Sequence, residues 1–312
     1  MSGYAWCTML TASVRPQVPK NAGLAIATAQ FVAMLDSDDQ LEPGALDAWL
    51  FAARQPKTTA DFVIAPSSSP GGRLKPSPPV RWSRVGRRRS APLDPSADRL
   101  FYRASPLGLI GRERFGHVRF SEGIATGEDQ ALTAEVWSTP GAKIVFPVFA
   151  PRYLEFDDQG DRVTREPRAV AEEFRSLDFT LAPGARWATS SSLRLALATK
   201  LIRIHLFDGV RQRLPAAWDS QTATALAEVA ERILEWEPRA SQLLSRADAN
   251  LLHAVLEAEK GVDRMWELLR ASARLRSFPA LVPQRFGRVF HAQAPLRYHL
   301  AGALLRLRTR RR

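Results

Sequence analysis

The sequence predicts an α/β protein: a mixed sheet layered with helices in the first half, joined to a mostly helical second half. Three observations carry this expectation. Short apolar runs of strand character alternate with helical periodicity as far as about residue 155. Beyond about residue 165 every periodic segment is helical, with Pro and Gly between the segments. The 312 residues are 45% hydrophobic, enough for a substantial buried core.

In order along the chain, residues 21–30 read as a short helix with small residues on one face, followed by a strand over 31–35. Glu42-Pro43 opens a helix through Leu46, Trp49, Leu50 and Ala53, with Pro in the tolerated first turn. Residues 61–65 form a second apolar strand, and 66–95, rich in Pro, Ser, Gly and Arg, read as a loop. Residues 101–110 and 143–150 look like further strands. Helices are then expected over 171–177, 192–210, 222–236, 240–269 and 296–307. A boundary near 155–170 gives two regions, 1–160 and 161–312, and there is no internal repeat.

A single cysteine, Cys7, excludes an internal disulfide and fits a reducing cytoplasmic setting. No apolar run approaches the roughly 18 residues of a spanning helix, and the first 14 residues lack the basic start of a signal peptide. A cytoplasmic protein is therefore expected. The net charge of +12 is concentrated. Residues 268–312 hold eleven arginines and no acid, and residues 62–93 hold seven basic residues and no acid, which leaves a mildly acidic remainder.

The segment Phe31-Val32-Ala33-Met34-Leu35-Asp36-Ser37-Asp38-Asp39 delivers three carboxylates to the end of a strand, where α/β sheets bind their ligands. Carboxylates so close repel one another without a cation, and such hard oxygens suit Mg²⁺ or Mn²⁺, which can hold a diphosphate. The competing reading is a turn of solvated acids capping the next helix. A haloacid-dehalogenase phosphatase motif would need Thr or Val at Gln40. Glu128-Asp129 is a second acidic pair, whose plain reading is acids at a helix N-terminus. His117, His205, His253, His291 and His299 show no ligand spacing, and Ser67 to Ser69 are loop. Arg87, Arg88 and Arg89 could meet a diphosphate, although such runs are more often solvated.

Three pieces in order resemble the family-two glycosyltransferases of the GT-A, Rossmann-like fold, over roughly residues 18–155. Lys20-Asn21-Ala22-Gly23 is similar to the family's Asn-x-Gly element. Leu35-Asp36-Ser37-Asp38-Asp39 with Leu41-x-Pro43-x-x-Leu46 matches its Asp-x-Asp motif, and Phe120-Ser121-Glu122 with Gly127-Glu128-Asp129 resembles its Phe-x-Glu…Glu-Asp signature. The resemblance implies an inverting transfer from a nucleotide-diphosphate sugar, a UDP-sugar first, to a glycan, teichoic-acid-like or lipid-linked acceptor of the cell envelope. It implies Asn21, Gly23, Asp36, Asp38 and Asp39 on the donor, Asp38 and Asp36 on Mn²⁺ or Mg²⁺, Asp129 as general base and Glu128 as its positioner. Position 29 is Ala where the family has Gly, and Gln159-x-x-Arg162-Val163 departs from the Gln-x-x-Arg-Trp of polymer synthases. The family's opening strand, with its base-reading Asp, has no counterpart before Lys20. The chain is therefore expected to be N-terminally truncated, and a catalytically silent binding or scaffold relative is the second reading.

The basic C-terminus has three readings: a membrane surface, nucleic acid, or solvation. Leu296, Leu300, Leu304, Leu305 and Leu307 fall close to one helical face beside Arg306, Arg308 and Arg310 to Arg312, a pattern that suits an anionic membrane surface. No recognition module with interleaved aromatics accompanies it, so nucleic acid is not expected.

Overall fold

A computed structural model describes residues 17–55, 58–84, 92–156, 168–274 and 277–309. Its strands, in chain order, are β1 (Phe31–Val32), β2 (Gln40–Leu41), β3 (Arg54–Gln55), β4 (Thr58–Thr59), β5 (Phe62–Ile64), β6 (Ser67–Ser68), β7 (Gly108–Gly111), β8 (Ile144–Val145) and β9 (Tyr153–Leu154). The main sheet has the order β1-β7-β5-β8, antiparallel except for the parallel β5/β8 pair. A second sheet, β2-β9-β6, pairs β9 antiparallel to β2 and parallel to β6, and β3-β4 is a small antiparallel pair. The fold is thus mixed α/β, as expected.

β5 is buried on both faces, which is why its sequence is continuously apolar rather than alternating. Phe62 and Ile64 point with Ile110 and Ile144 into one core, where Phe62 meets Trp137 edge-on at 4.9 Å. Val63, Leu109 and Val145 point into the other, beneath Trp49 of the helix Ala45–Ala53. β7 needs glycine at its start. Gly108 has φ +134°, and a Cβ there would fall 1.9 Å from the Val63 carbonyl oxygen.

Helix Gln130–Ser138 covers the first of these faces and carries the helical half. Short turns at Val170–Glu173, Leu177–Thr180 and Arg186–Thr189 lead into Ser191–Lys200, which continues through the π segment Leu201–Leu206 into Phe207–Arg213. Ser220–Trp236, Arg246–Leu256, Val262–Ala273 and Pro295–Thr309 follow. Asp219 and Ser245 cap two of these helices by accepting the Thr222 and Asp248 N–H groups. One apolar core runs from Leu24 and Phe62 through Leu132 to Leu206, Leu226 and Leu305, so sheet and helices share it.

Several element boundaries differ from expectation. Pairing over 31–35 stops at Val32, because the chain turns toward the acidic segment. The strand expected over 101–110 begins only at Gly108; Leu100–Tyr102 is a 3₁₀ turn entered through Arg99 at φ 57°. The helix expected over 240–269 is divided by the Ser245 cap and again at Gly261. The 66–95 loop contains a paired strand, β6.

Candidate active site

The acidic turn hangs from β1 and closes on itself. The Asp39 N–H donates to the Asp36 carbonyl at 3.1 Å, with Ser37 and Asp38 at its tip. β9 holds this turn from beside it. The Tyr153 hydroxyl accepts the Asp36 N–H at 3.1 Å and is hydrogen-bonded to the Asp39 carboxylate. Asp39 Oδ1 also accepts the Phe156 N–H at 3.0 Å. Burial pushes the Asp39 carboxyl up, and the hydrogen bonds from Phe156 and Tyr153 oppose that shift. Burial likewise raises the Tyr153 phenol, so Tyr153 stays protonated. These contacts make Asp39 and Tyr153 the struts of the turn. Asp39 also borders a shallow cleft of about 450 Å³ lined by Leu35, Leu41, Glu42 and Leu46.

Helix Gln17–Ile26 supplies the cation. Lys20 Nζ lies 3.0 Å from Asp36 Oδ1 and 3.9 Å from Glu128 Oε1, and 5.5 Å from the centre of the Phe120 ring. Burial works against the Lys20 charge, but Asp36, Glu128 and Asp129 together outweigh it and hold the ammonium above the ordinary lysine value. Lys20 therefore joins the two acidic motifs in one site. The next residue, Asn21, is buried and fixes the Phe120 to Glu122 segment. Its Oδ1 accepts the Phe120 N–H at 2.8 Å, while Nδ2 donates to the Phe120 carbonyl at 3.0 Å and to Glu122 Oε1 at 2.7 Å. Asn21, assigned to the donor by the resemblance, uses both of its amide N–H groups in this positioning. Gly23 lies in the same helix with open space beside it.

The Gly127-Glu128-Asp129 segment opens helix Gln130–Ser138. Gly127 has φ +75°, and a Cβ there would meet Gln130 Nε2 at 2.5 Å and Ser176 at 2.9 Å. The Ser121 N–H donates to the Glu128 carbonyl at 2.9 Å, which ties this loop to the Phe120 to Glu122 segment. Burial, and then the like charge of Asp129, push the Glu128 carboxyl up, with Lys20 pulling the other way. Asp129 is half-buried, and its Oδ2 accepts the Ser105 hydroxyl at 2.9 Å. Behind it, the buried Lys200 at the start of the π segment is pushed down to about 8 by burial, and the Asp129 charge opposes that shift. His205, paired with Lys200, is driven well below the ordinary histidine value by burial and by Lys200. π segments of this kind occur frequently at functional sites.

Among the described residues no three His, Cys, Asp or Glu side chains form a ready-made metal cage. Mg²⁺ in nucleotide sites needs only one or two carboxylates, with phosphate oxygens and water completing its octahedron. Asp36 and Asp38 are oxygen donors of that kind on one turn, so the donor set fits such an ion. Sequence reasoning did not assign roles to Lys20, Ser105, Tyr153 or Lys200. Lys20 could have been found from its place beside Asn21, whereas the other three come from distant segments. Cys7, Arg87 to Arg89, Gln159 to Val163 and Arg310 to Arg312 lie outside the described residues.

No family model matches the sequence, and no curated protein matches it. The fold does have solved counterparts. Residues 1–349 of the Staphylococcus aureus glycosyltransferase TarS, in complex with UDP-GlcNAc, superpose with a TM-score of 0.62 at 16% identity, over 85% of this chain and 74% of that one. The same TarS fragment with UDP gives 0.58 at 16% identity, over 84% and 72%. A TarS structure without that truncation gives 0.53 at 17% identity, over 82% of this chain and 43% of that one. This chain therefore has a TarS-like glycosyltransferase fold.

Proposed function

We propose that this protein transfers a sugar from a nucleotide-diphosphate donor, UDP-GlcNAc or a related UDP-sugar, to a glycan acceptor of the cell envelope. A teichoic-acid-like polymer and a lipid-linked glycan are the acceptor classes, and the site of action is the inner face of the plasma membrane. One observation carries this reading: Lys20 bridges Asp36 and Glu128, so the acidic turn and the Glu-Asp pair form one site. Two supports come from the comparisons, the shared fold and the UDP-GlcNAc and UDP bound by TarS.

In this reading Asp129 takes the proton of the acceptor hydroxyl as its oxygen attacks the anomeric carbon. Ser105 orients Asp129 through its Oδ2, leaving the other carboxylate oxygen for the acceptor. The nucleoside diphosphate leaves from the opposite face, so the anomeric centre inverts. Asp36 and Asp38 would hold Mg²⁺ or Mn²⁺, which neutralises charge on the departing diphosphate. Lys20 adds a fixed positive charge at the same place, and Glu128 positions both Lys20 and Asp129. The helical second half would serve acceptor binding or docking; among the described residues no helix is long and apolar enough to cross a membrane.

A silent nucleotide-sugar binder is the second reading. It is favoured by one feature, the ammonium already seated on Asp36. Calorimetry with UDP, with and without Mn²⁺, tests both readings together with a measurement of UDP release. The transferase reading expects UDP binding that Mn²⁺ strengthens and that Asp38→Ala weakens, together with turnover. UDP binding without turnover of the UDP-sugar would select the silent binder, and no UDP binding under any condition would remove both.

A further inference from the structure

The two acid-free basic segments are far apart in sequence, and the fold brings them together. Helix Pro295–Thr309 packs against the turn Trp82–Arg84. The Arg308 guanidinium lies 4.4 Å from the centre of the Trp82 ring, and a Cβ on Gly302 would be 3.6 Å from Pro76. Buried polar contacts fix the arrangement. Arg99 Nε donates to the Ala292 carbonyl at 2.7 Å, Gln293 Nε2 to the Ser96 carbonyl at 2.7 Å, and Tyr102 packs on Tyr298 at 4.6 Å.

The outward face of that helix is apolar where a water-facing helix would be polar. Ala301, Gly302 and Leu305 turn inward, which corrects the sequence expectation that Leu305 shares a face with the other leucines. Leu296, Leu300, Ala303 and Leu307, spaced i, i+4, i+7 and i+11, are exposed, with Leu300 at 52% and Leu307 at 55%. The segment before the helix adds Phe286 at 60% and Phe290 at 79% exposed. Phe286 lies 6.3 Å from Phe278, and the Phe290 carbonyl accepts from Arg297 of the helix at 2.7 Å. Arg285, Arg288, Arg297 and Arg306 are exposed on the same two segments, and no acidic residue occurs from 268 to 312.

We propose that this composite face docks the protein on an anionic lipid surface. Charge complementarity selects an anionic partner, with each basic residue near such a surface adding attraction. The exposed phenylalanines and leucines select lipid over a soluble polyanion. Phosphates along a polymer would engage arginines alone, whereas a headgroup layer also accepts the apolar stripe at its acyl boundary. Trp82 beside Arg308 suits the same interface, where amphipathic aromatic rings settle. The proposal gives a surface to the membrane-proximal reading above, and its test reads binding without any need for sugar transfer.

Co-sedimentation of the full chain with vesicles provides that test. Vesicles rich in phosphatidylglycerol should bind the protein at least about tenfold more tightly than phosphatidylcholine vesicles, with a strong salt dependence. The Phe290→Ser/Leu300→Ser variant should lose at least about tenfold in partitioning, at a melting temperature close to that of the wild type because both side chains are exposed. Arg288→Gln/Arg306→Gln should lose roughly 10- to 30-fold. Equal binding to both vesicle types, no vesicle binding, or wild-type binding by both variants would each overturn the proposal. Two findings would reassign the face. Dimerisation abolished by Leu300→Ser without vesicle binding would give it to a second copy, and binding of soluble polyphosphate without vesicle binding to a polyanion.

Discussion

Lys20 Nζ lies 3.0 Å from Asp36 Oδ1, and this contact turns two separate acidic motifs into one site. The same ammonium reaches Glu128, beside the candidate base. Without Lys20, Asp36 and the Glu128-Asp129 pair would confront each other with no fixed cation between them. Lys20→Met should therefore lower kcat/KM for sugar transfer by about 10²-fold, and Lys20→Arg should restore part of the loss, as steady-state kinetics would show. The Lys20 pKa is raised above 10.5, so its charge and its stabilising effect persist below that value and disappear only as pH rises through the raised value. The ratio of wild-type to Lys20→Met activity should accordingly stay constant between about pH 6 and 9.

Asp129 carries the proton transfer in this account, and Asn is a clean replacement for it. The Asp129 side chain makes no cap bond to its helix, and an Asn oxygen can still accept the Ser105 hydroxyl. Asp129→Asn should cut kcat by about 10²- to 10⁴-fold, with donor KM and melting temperature nearly unchanged.

Gly127 is set by geometry rather than chemistry. Its φ of +75° and the 2.5 Å approach to Gln130 Nε2 leave no place for a side chain. Gly127→Ala should destabilise the fold by about 1–3 kcal/mol, read as a lower urea midpoint at unchanged slope.

Lys200 makes the stability depend on pH. Its folded-state value of about 8 lies below the ordinary 10.5, so between the two the unfolded chain binds more protons than the folded one. The cost of burying the charged form is full below about pH 8 and is relieved as pH rises toward 10.5. Relative to Lys200→Met, the wild type should therefore gain on the order of 3 kcal/mol between about pH 7 and 10.5, measured by urea unfolding at both ends. A difference that does not change with pH would contradict this assignment.

The parts of the site legible in the sequence are those built locally. Asp36 to Asp39 follow an apolar strand at once, and Gly127 precedes Glu128-Asp129 because only glycine fits that turn. The parts that stayed hidden depend on long-range pairing. Tyr153 reaches Asp36 from 117 residues away, and nothing near Tyr153 marks it as a strut. Ser105 and Lys200 approach Asp129 from other segments, with no spacing to betray them. The fold shows the same division. The apolar strand over 61–65 was readable, whereas the stop of β1 at Val32 is set by where the chain leaves β7 for the acidic turn. The C-terminal helix was readable as a helix, but the inward turn of Leu305 is decided by the core it meets.

The central claim is that the Asp-x-Asp turn and Asp129 work on one nucleotide-sugar, and UDP release from UDP-GlcNAc measures it most directly. With Mn²⁺ and an envelope-glycan acceptor, the wild type should release UDP. Asp38→Ala and Asp129→Asn should each lose at least about 10²-fold, while Asp129→Asn still binds UDP with wild-type affinity. Wild-type rates of UDP release in both variants would contradict the account.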